Sequence, residues 1–157
     1  MSVFFHLKIK RMRFLLLIVL IAFGSTILSA QDNIKLTCPL DHSLGREPKE
    51  AYAWDPKDLK VIMVSKVDTS VRSCITGTVS NVAKSEDGNY EVVIYYKNYY
   101  FWYVGVSNPV VKKNQAVTAR QIIGTYRPGT ELEFRMFKDE ATMDPRQILE
   151  CTILKAD

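Results

Sequence analysis

Tyr99-Tyr100-Phe101-Trp102-Tyr103-Val104-Gly105-Val106-Ser107 is the stretch whose reading settles what kind of chain this is. Seven of the chain's seventeen aromatic residues fall between Tyr95 and Tyr103. Successive strand side chains point to opposite faces, so Tyr99, Phe101 and Tyr103 go one way and Tyr100, Trp102 and Val104 the other. One set can fill a core while the other meets a second layer or solvent. As packing, cross-strand aromatic pairs are worth up to about 1 kcal/mol each; as an exposed set they make a groove floor for sugar rings or an extended peptide. Upstream, Glu86-Asp87-Gly88-Asn89 is a turn signal between Thr78–Val82 and Tyr90–Ile94, and Lys97-Asn98 turns a second hairpin joining Val92–Tyr96 to Tyr99–Val104. Downstream, Asn108-Pro109, Lys113-Asn114 and Arg127-Pro128-Gly129 mark tight connections between short strands. After Gln31 no segment keeps apolar residues at helical spacing for three turns, so no long helix is expected. The expected fold class is all-β, an antiparallel β-sandwich of short strands.

Towards the N-terminus a basic start (Lys8, Lys10, Arg11, Arg13) leads into an apolar run from Phe14 to Phe23. This is read as a signal peptide over residues 1–30, cut after Leu28-Ser29-Ala30, with Met1 or Met12 as the start. The apolar run is shorter than the roughly 20 residues a bilayer requires and closes with Gly24, Ser25 and Thr26, so no membrane span is expected after cleavage. The leader carries four of the 21 basic residues and none of the 17 acidic ones, so the formal charge of +4 belongs to it and the exported part is neutral. That gives no warrant for a nucleic-acid partner. The remaining 127 residues suffice for one compact core. Gln31–Pro56 is polar and without period, and is read as an irregular N-terminal arm over 31–58 ending in a Trp54-Asp55-Pro56 turn. The β domain is placed over 59–157, with strand signals in Leu59–Val64 and Val71–Val82.

Cys38, Cys74 and Cys151 all lie in the exported part, where disulfides form. One bridge and one remaining thiol are expected, with all three pairings open. The remaining thiol is either buried or the link of a disulfide-bonded dimer. A cysteine nucleophile would need a nearby base, and the exported part offers only His42, in a Leu40-Asp41-His42-Ser43-Leu44-Gly45 stretch rich in turn formers. No Cys-x-x-Cys pair is present for a metal.

Four phrases in order, Tyr103-Val104-Gly105-Val106-Ser107, Val111-Lys112-Lys113-Asn114-Gln115-Ala116-Val117, Gln121-Ile122-Ile123-Gly124 and Gly129-Thr130-Glu131-Leu132-Glu133-Phe134, resemble the lysostaphin and LytM type of peptidoglycan endopeptidase. In that family they run Tyr-Ala-His-Leu-Ser, Val-Lys-x-Gly-Gln-x-Val, Gly-Gln-x-Ile-Gly and His-Leu-His-Phe-Glu. Val71 to Val79 resembles the family's Val-x-Ala-x-x-x-Gly-x-Val strand, and the likeness extends from Val71 to Leu149, with a partial match from Cys38 to Ser70. The resemblance implies the LytM-like, duplicated hybrid motif fold and a periplasmic or secreted place in a bacterial envelope. Biotinyl and lipoyl carrier domains share some of these phrases, but Lys97 lacks the setting of a modified lysine.

This chain departs from the family at its metal site. Gly105 stands where Tyr-Ala-His-Leu-Ser has histidine, Glu131 and Glu133 stand where the closing strand has its two, and Ile62–Asp68 contains none. Asp68 lies too near the following strand to match the family's aspartate. Asn114 and Arg120 replace turn glycines; asparagine tolerates positive φ, arginine far less. A hydrolytic zinc needs three protein ligands and an open position, whereas oxygen-only ligation suits harder cations. Glu131 and Glu133 share one strand face, and paired with Arg135, Lys138 or Arg127 they need no metal; neighbours on one strand also cannot flank a glycosidic bond.

The resemblance therefore implies a noncatalytic, degenerate module without zinc or other cofactor. It would bind peptidoglycan peptide, or an envelope amidase or hydrolase that it regulates, in a groove lined by Tyr103, Gly105, Glu131 and Glu133, with Trp102 and Arg135 as outer residues. Whether the arm covers that groove is left open. Two alternatives stand: an active metal-dependent endopeptidase with atypical ligands (His42, an aspartate and the two glutamates), and a structural exported β domain that self-associates through its odd cysteine.

Overall fold

The computed structural model describes residues 34–46, 59–151 and 154–155. The expected signal peptide and the 47–58 part of the expected arm, with its Trp54-Asp55-Pro56 turn, lie outside the described residues. The first strands are β1 Leu36–Thr37, β2 Leu44–Arg46, β3 Val61–Val64, β4 Ser70–Arg72 and β5 Gly77–Lys84. Next come β6 Tyr90–Tyr96, β7 Tyr99–Val106, β8 Asn108–Pro109, β9 Ala116–Val117 and β10 Ile122–Thr125. The chain closes with β11 Glu131–Lys138, β12 Ala141–Met143, a 3-10 turn at Pro145–Gln147, β13 Leu149–Glu150 and β14 Leu154–Lys155. The fold is all-β, as expected.

Both expected hairpins form. In the β5–β6 turn Gly88 takes φ +86°, the Ser85 N–H donates to the Asn89 carbonyl (2.8 Å), and the Asn89 N–H donates to Asp87 Oδ1 (3.0 Å). In the β6–β7 turn Lys97 takes φ 53°. These strands form the centre of a sheet ordered β14-β2-β3-β11-β7-β6-β5-β9, with β12 added beside β11. Tyr99, Phe101 and Tyr103 of β7 and Leu132, Phe134 and Met136 of β11 are buried on its inner face. Val71 of β4 and Ile123 of β10, from a three-stranded sheet ordered β4-β10-β8, join the same core.

Two turns after β8 share one chemistry. Asn114 (φ 68°) and Arg120 (φ 70°) each precede a glutamine whose Oε1 accepts the N–H three residues back: Lys112 to Gln115 and Thr118 to Gln121, both at 3.0 Å. Arg120 holds a conformation usually left to glycine, and its guanidinium is anchored, Nη2 lying 2.7 Å from Asp41 Oδ1, while its carbonyl accepts from Arg72 Nη1 (3.2 Å). Asn108-Pro109, expected as a tight connection, is instead the short strand β8 beside β10.

The expected irregular arm needs correction over its described part. Leu36 and Leu40 are fully buried, β1 pairs with β13, and β2 pairs with both β3 and β14. The β1–β13 and β14–β2 pairings are parallel, an exception to the antiparallel pattern. Strands of two or three residues, paired with the far end of the chain, leave no periodic trace in a local window. A disulfide joins Cys38 to Cys151 across 113 residues, and Cys74 is the free, buried thiol. Of the two fates open to the remaining thiol the structure has the buried one: among the described residues no exposed thiol is left for an intermolecular bridge.

Candidate functional site

The outer face of the large sheet carries the polar and aromatic positions. β11 presents Glu131, Glu133, Arg135 and Phe137 there, because Leu132, Phe134 and Met136 take the inner positions. β7 presents Tyr100, Trp102 and Val104, and the register sets Trp102 beside Arg135 and Val104 beside Glu133. Glu133, Arg135 and Trp102 are thus gathered on one surface. Tyr103 is not: it is fully buried on the other face, which corrects its assignment to a groove. The Cys74 N–H donates to its hydroxyl (2.8 Å), and that hydroxyl donates to Cys74 Sγ (2.8 Å). Burial pushes the Cys74 thiol up to about 12 despite this bond, so it stays protonated and inert as a nucleophile. Burial, then the neighbouring Cys74, raises the Tyr103 phenol well above its ordinary value.

Gly105 is a bulge. Tyr90 pairs with Val106 and Glu91 with Val104, leaving Gly105 as an extra residue in β7 at φ +102°. A Cβ there would stand 2.5 Å from the Glu131 carbonyl oxygen. No side chain fits this position without moving β11.

Glu133 has cationic company. Lys60 Nζ lies 3.3 Å from one carboxylate oxygen and Arg135 Nε donates to the other, while its cross-strand neighbour on β3 is the buried Ile62. Glu131 is exposed and lies opposite Val64. Of the positions that the sequence sets against zinc-binding histidines, Gly105 is closed to any side chain, and Glu133 is engaged by two cations with a hydrocarbon side chain opposite. Among the described residues no three His, Cys, Asp or Glu side chains gather as a metal cluster.

His42, which the atypical-ligand alternative would recruit, does meet an aspartate, Asp68. The His42 N–H donates to Asp68 Oδ2 (2.8 Å) and its Nδ1 lies 3.1 Å from Oδ1. Burial alone would raise the Asp68 carboxyl; the His42 N–H, the Ser65 hydroxyl and the His42 ring outweigh it and hold it below its ordinary value. This pair ties the chain before β2 to the β3–β4 loop. Beside it Asp41 bridges Arg72 (3.1 Å) and Arg120 (2.7 Å).

A cavity of about 570 Å³ opens on the same outer face, at the end of the sheet away from Gly105. It is lined by the aromatic side chains of Tyr95, Tyr100, Trp102 and Phe137 and by Asn98, Asp139 and Glu140 of the β6–β7 and β11–β12 turns. Tyr95 and Tyr100 are paired by register, with ring centroids 5.0 Å apart, and Trp102 and Phe137 lie 5.9 Å apart. Of these, only Trp102 is singled out by sequence as a site residue. Tyr95 was recoverable from the hairpin register, Tyr100 from alternation with Trp102, and Phe137 as the residue two beyond Arg135 on β11.

No protein-family model matches the chain, and no curated protein matches it. Solved structures do. Csd3 from Helicobacter pylori superposes with a TM-score of 0.64 at 20% identity, over 79% of this chain and 37% of that one. The solution structure of lysostaphin gives 0.56 at 19% identity, over 73% and 53%. The SpoIIQ–SpoIIIAH pore-forming complex gives 0.58 at 17% identity, over 73% and 90%. This chain has the fold of lysostaphin-type peptidase domains, and it spans little more than a third of Csd3 and about half of lysostaphin.

Proposed function

We propose that this chain is a noncatalytic module of the bacterial envelope that binds peptidoglycan or regulates a cell-wall hydrolase, with the outer sheet face as its contact surface. One observation carries the reading: where lysostaphin-type peptidases hold their metal, this chain has a bulge with no room for a side chain and a glutamate engaged by Lys60 and Arg135. Such a surface can bind but has nothing with which to sharpen water into a nucleophile. A periplasmic or secreted location is supported by the basic-apolar N-terminus and by the Cys38–Cys151 bridge, since disulfides persist in oxidising compartments. A protein partner is a natural alternative to the wall itself, because a chain of the SpoIIQ–SpoIIIAH pore-forming complex has the same fold. Self-association through the odd cysteine loses its chemistry, as Cys74 is buried.

The test is made on one preparation of the exported chain: zinc content, hydrolysis of peptidoglycan sacculi, and co-sedimentation with them, together with capture of purified envelope amidases. Binding to sacculi or to an amidase, without hydrolysis, is the expected result. Stoichiometric zinc with hydrolysis that disappears in Glu133→Ala would overturn the reading.

A further inference from the structure

The aromatic cavity has a charge pattern that selects its occupant. Its mouth is built by two turns held together: Asn98 Nδ2 donates to both Asp139 carboxylate oxygens (3.2 Å each), and the Asp139 N–H donates to the Asn98 carbonyl (2.8 Å). Asn98, the one amide donor at the mouth, is thereby turned onto Asp139. The remaining polar groups of the mouth, Asp139 and Glu140, are carboxylates that accept hydrogen bonds and carry two negative charges.

The neighbouring cations sit elsewhere. Lys97 and Lys138 adjoin Asn98 and Asp139 in sequence, yet their ammonium groups lie over the Tyr96 and Tyr99 rings, at 5.5 and 5.3 Å, on the opposite face of the sheet. Arg135, on the cavity's own face, is drawn to Glu133. The cavity therefore combines four aromatic side chains, two of them tyrosines more than a third exposed, with two carboxylates, Asp139 and Glu140, that form no ion pair among the described residues. Aromatic faces attract cations through their quadrupole, and a neutral or anionic guest would desolvate the carboxylates without replacing their water.

From this complementarity we infer that the cavity is a binding site for a primary ammonium group, such as the side-chain amine of a lysine or diamino acid in an extended peptide. This deepens the reading above, and rests on it only for the expectation that the peptide belongs to the cell wall. The alkyl stem packs between Trp102 and Phe137 on one side and Tyr95 and Tyr100 on the other, and the ammonium is held at the rim by Asp139 and Glu140.

Calorimetric titration of the exported chain tests this with three probes: N-acetyl-lysine amide, its uncharged des-amino analogue N-acetyl-norleucine amide, and an N-acetylglucosamine trisaccharide. The lysine probe is expected to bind at least about tenfold more tightly than norleucine, and to weaken as salt is raised. The double variant D139N/E140Q, which keeps an αL-tolerant residue at position 139, should lose about tenfold in lysine affinity with its melting temperature unchanged. Equal binding of norleucine, salt-insensitive binding of the trisaccharide alone, or no binding by a folded chain would each overturn the proposal. If amine binding fails while co-sedimentation with sacculi persists, only the ammonium site falls. If amine binding holds and sacculi are ignored, the ammonium site stands and the cell-wall reading falls.

Discussion

Among the described residues Tyr103 is the largest fully buried side chain, and its hydroxyl is bonded to Cys74 in the chain between β4 and β5. It satisfies the Cys74 N–H at a point where the chain between β4 and β5 offers that group no strand partner. The alternation of β7 made its direction readable; its burial was not, because that depends on which face meets the second sheet. Tyr103→Phe keeps the ring and removes the hydroxyl, leaving a buried donor unpaired at a cost of about 1–3 kcal/mol. The expected result is a lower urea midpoint with an unchanged slope; an unaltered midpoint would mean the Cys74 N–H finds another partner. Glu133 teaches a related lesson, since its strand face was legible while its partner Lys60, just before β3, becomes adjacent only through register.

At the level of elements, the two hairpins and the paired turns follow from turn chemistry that operates over four residues, so they could be read locally. Arg120 could not, because the carboxylate that anchors it belongs to Asp41, 79 positions away. The Gly105 bulge lies between these cases. A glycine in a strand hints at a bulge, but only the pairing with β6 and the approach of β11 show that it is required. Gly105→Ala adds the strain of a positive φ, about 1–3 kcal/mol, to a clash with the Glu131 carbonyl. Gly88→Ala is the control, since Gly88 shares the positive φ but has open space around its Cβ position. In thermal unfolding Gly105→Ala should lose clearly more stability than Gly88→Ala; equal losses would show that β11 yields without cost.

Across the whole molecule, the Cys38–Cys151 bridge and the pairings of β1 with β13 and β2 with β14 fasten the first described strands to the last. A cross-link spanning 113 residues restricts the unfolded chain heavily, so Cys151→Ala is expected to lower stability by about 2–5 kcal/mol. Reductant should destabilise the parent chain by a similar amount and leave the variant unaffected; a parent insensitive to reductant would show the bridge to be thermodynamically idle. The central strands, the direction of the β7 aromatic side chains and the two hairpin turns were legible in the linear order of residues, because period-two geometry and φ preferences act between near neighbours. The identity of the bridged cysteines, the recruitment of Leu36 and Leu40 into the core, the closure at Gly105 and the acidic aromatic cavity were settled by packing. Each joins groups that lie tens of residues apart, and no local rule says which of them will meet once burial of the inner face sets the register.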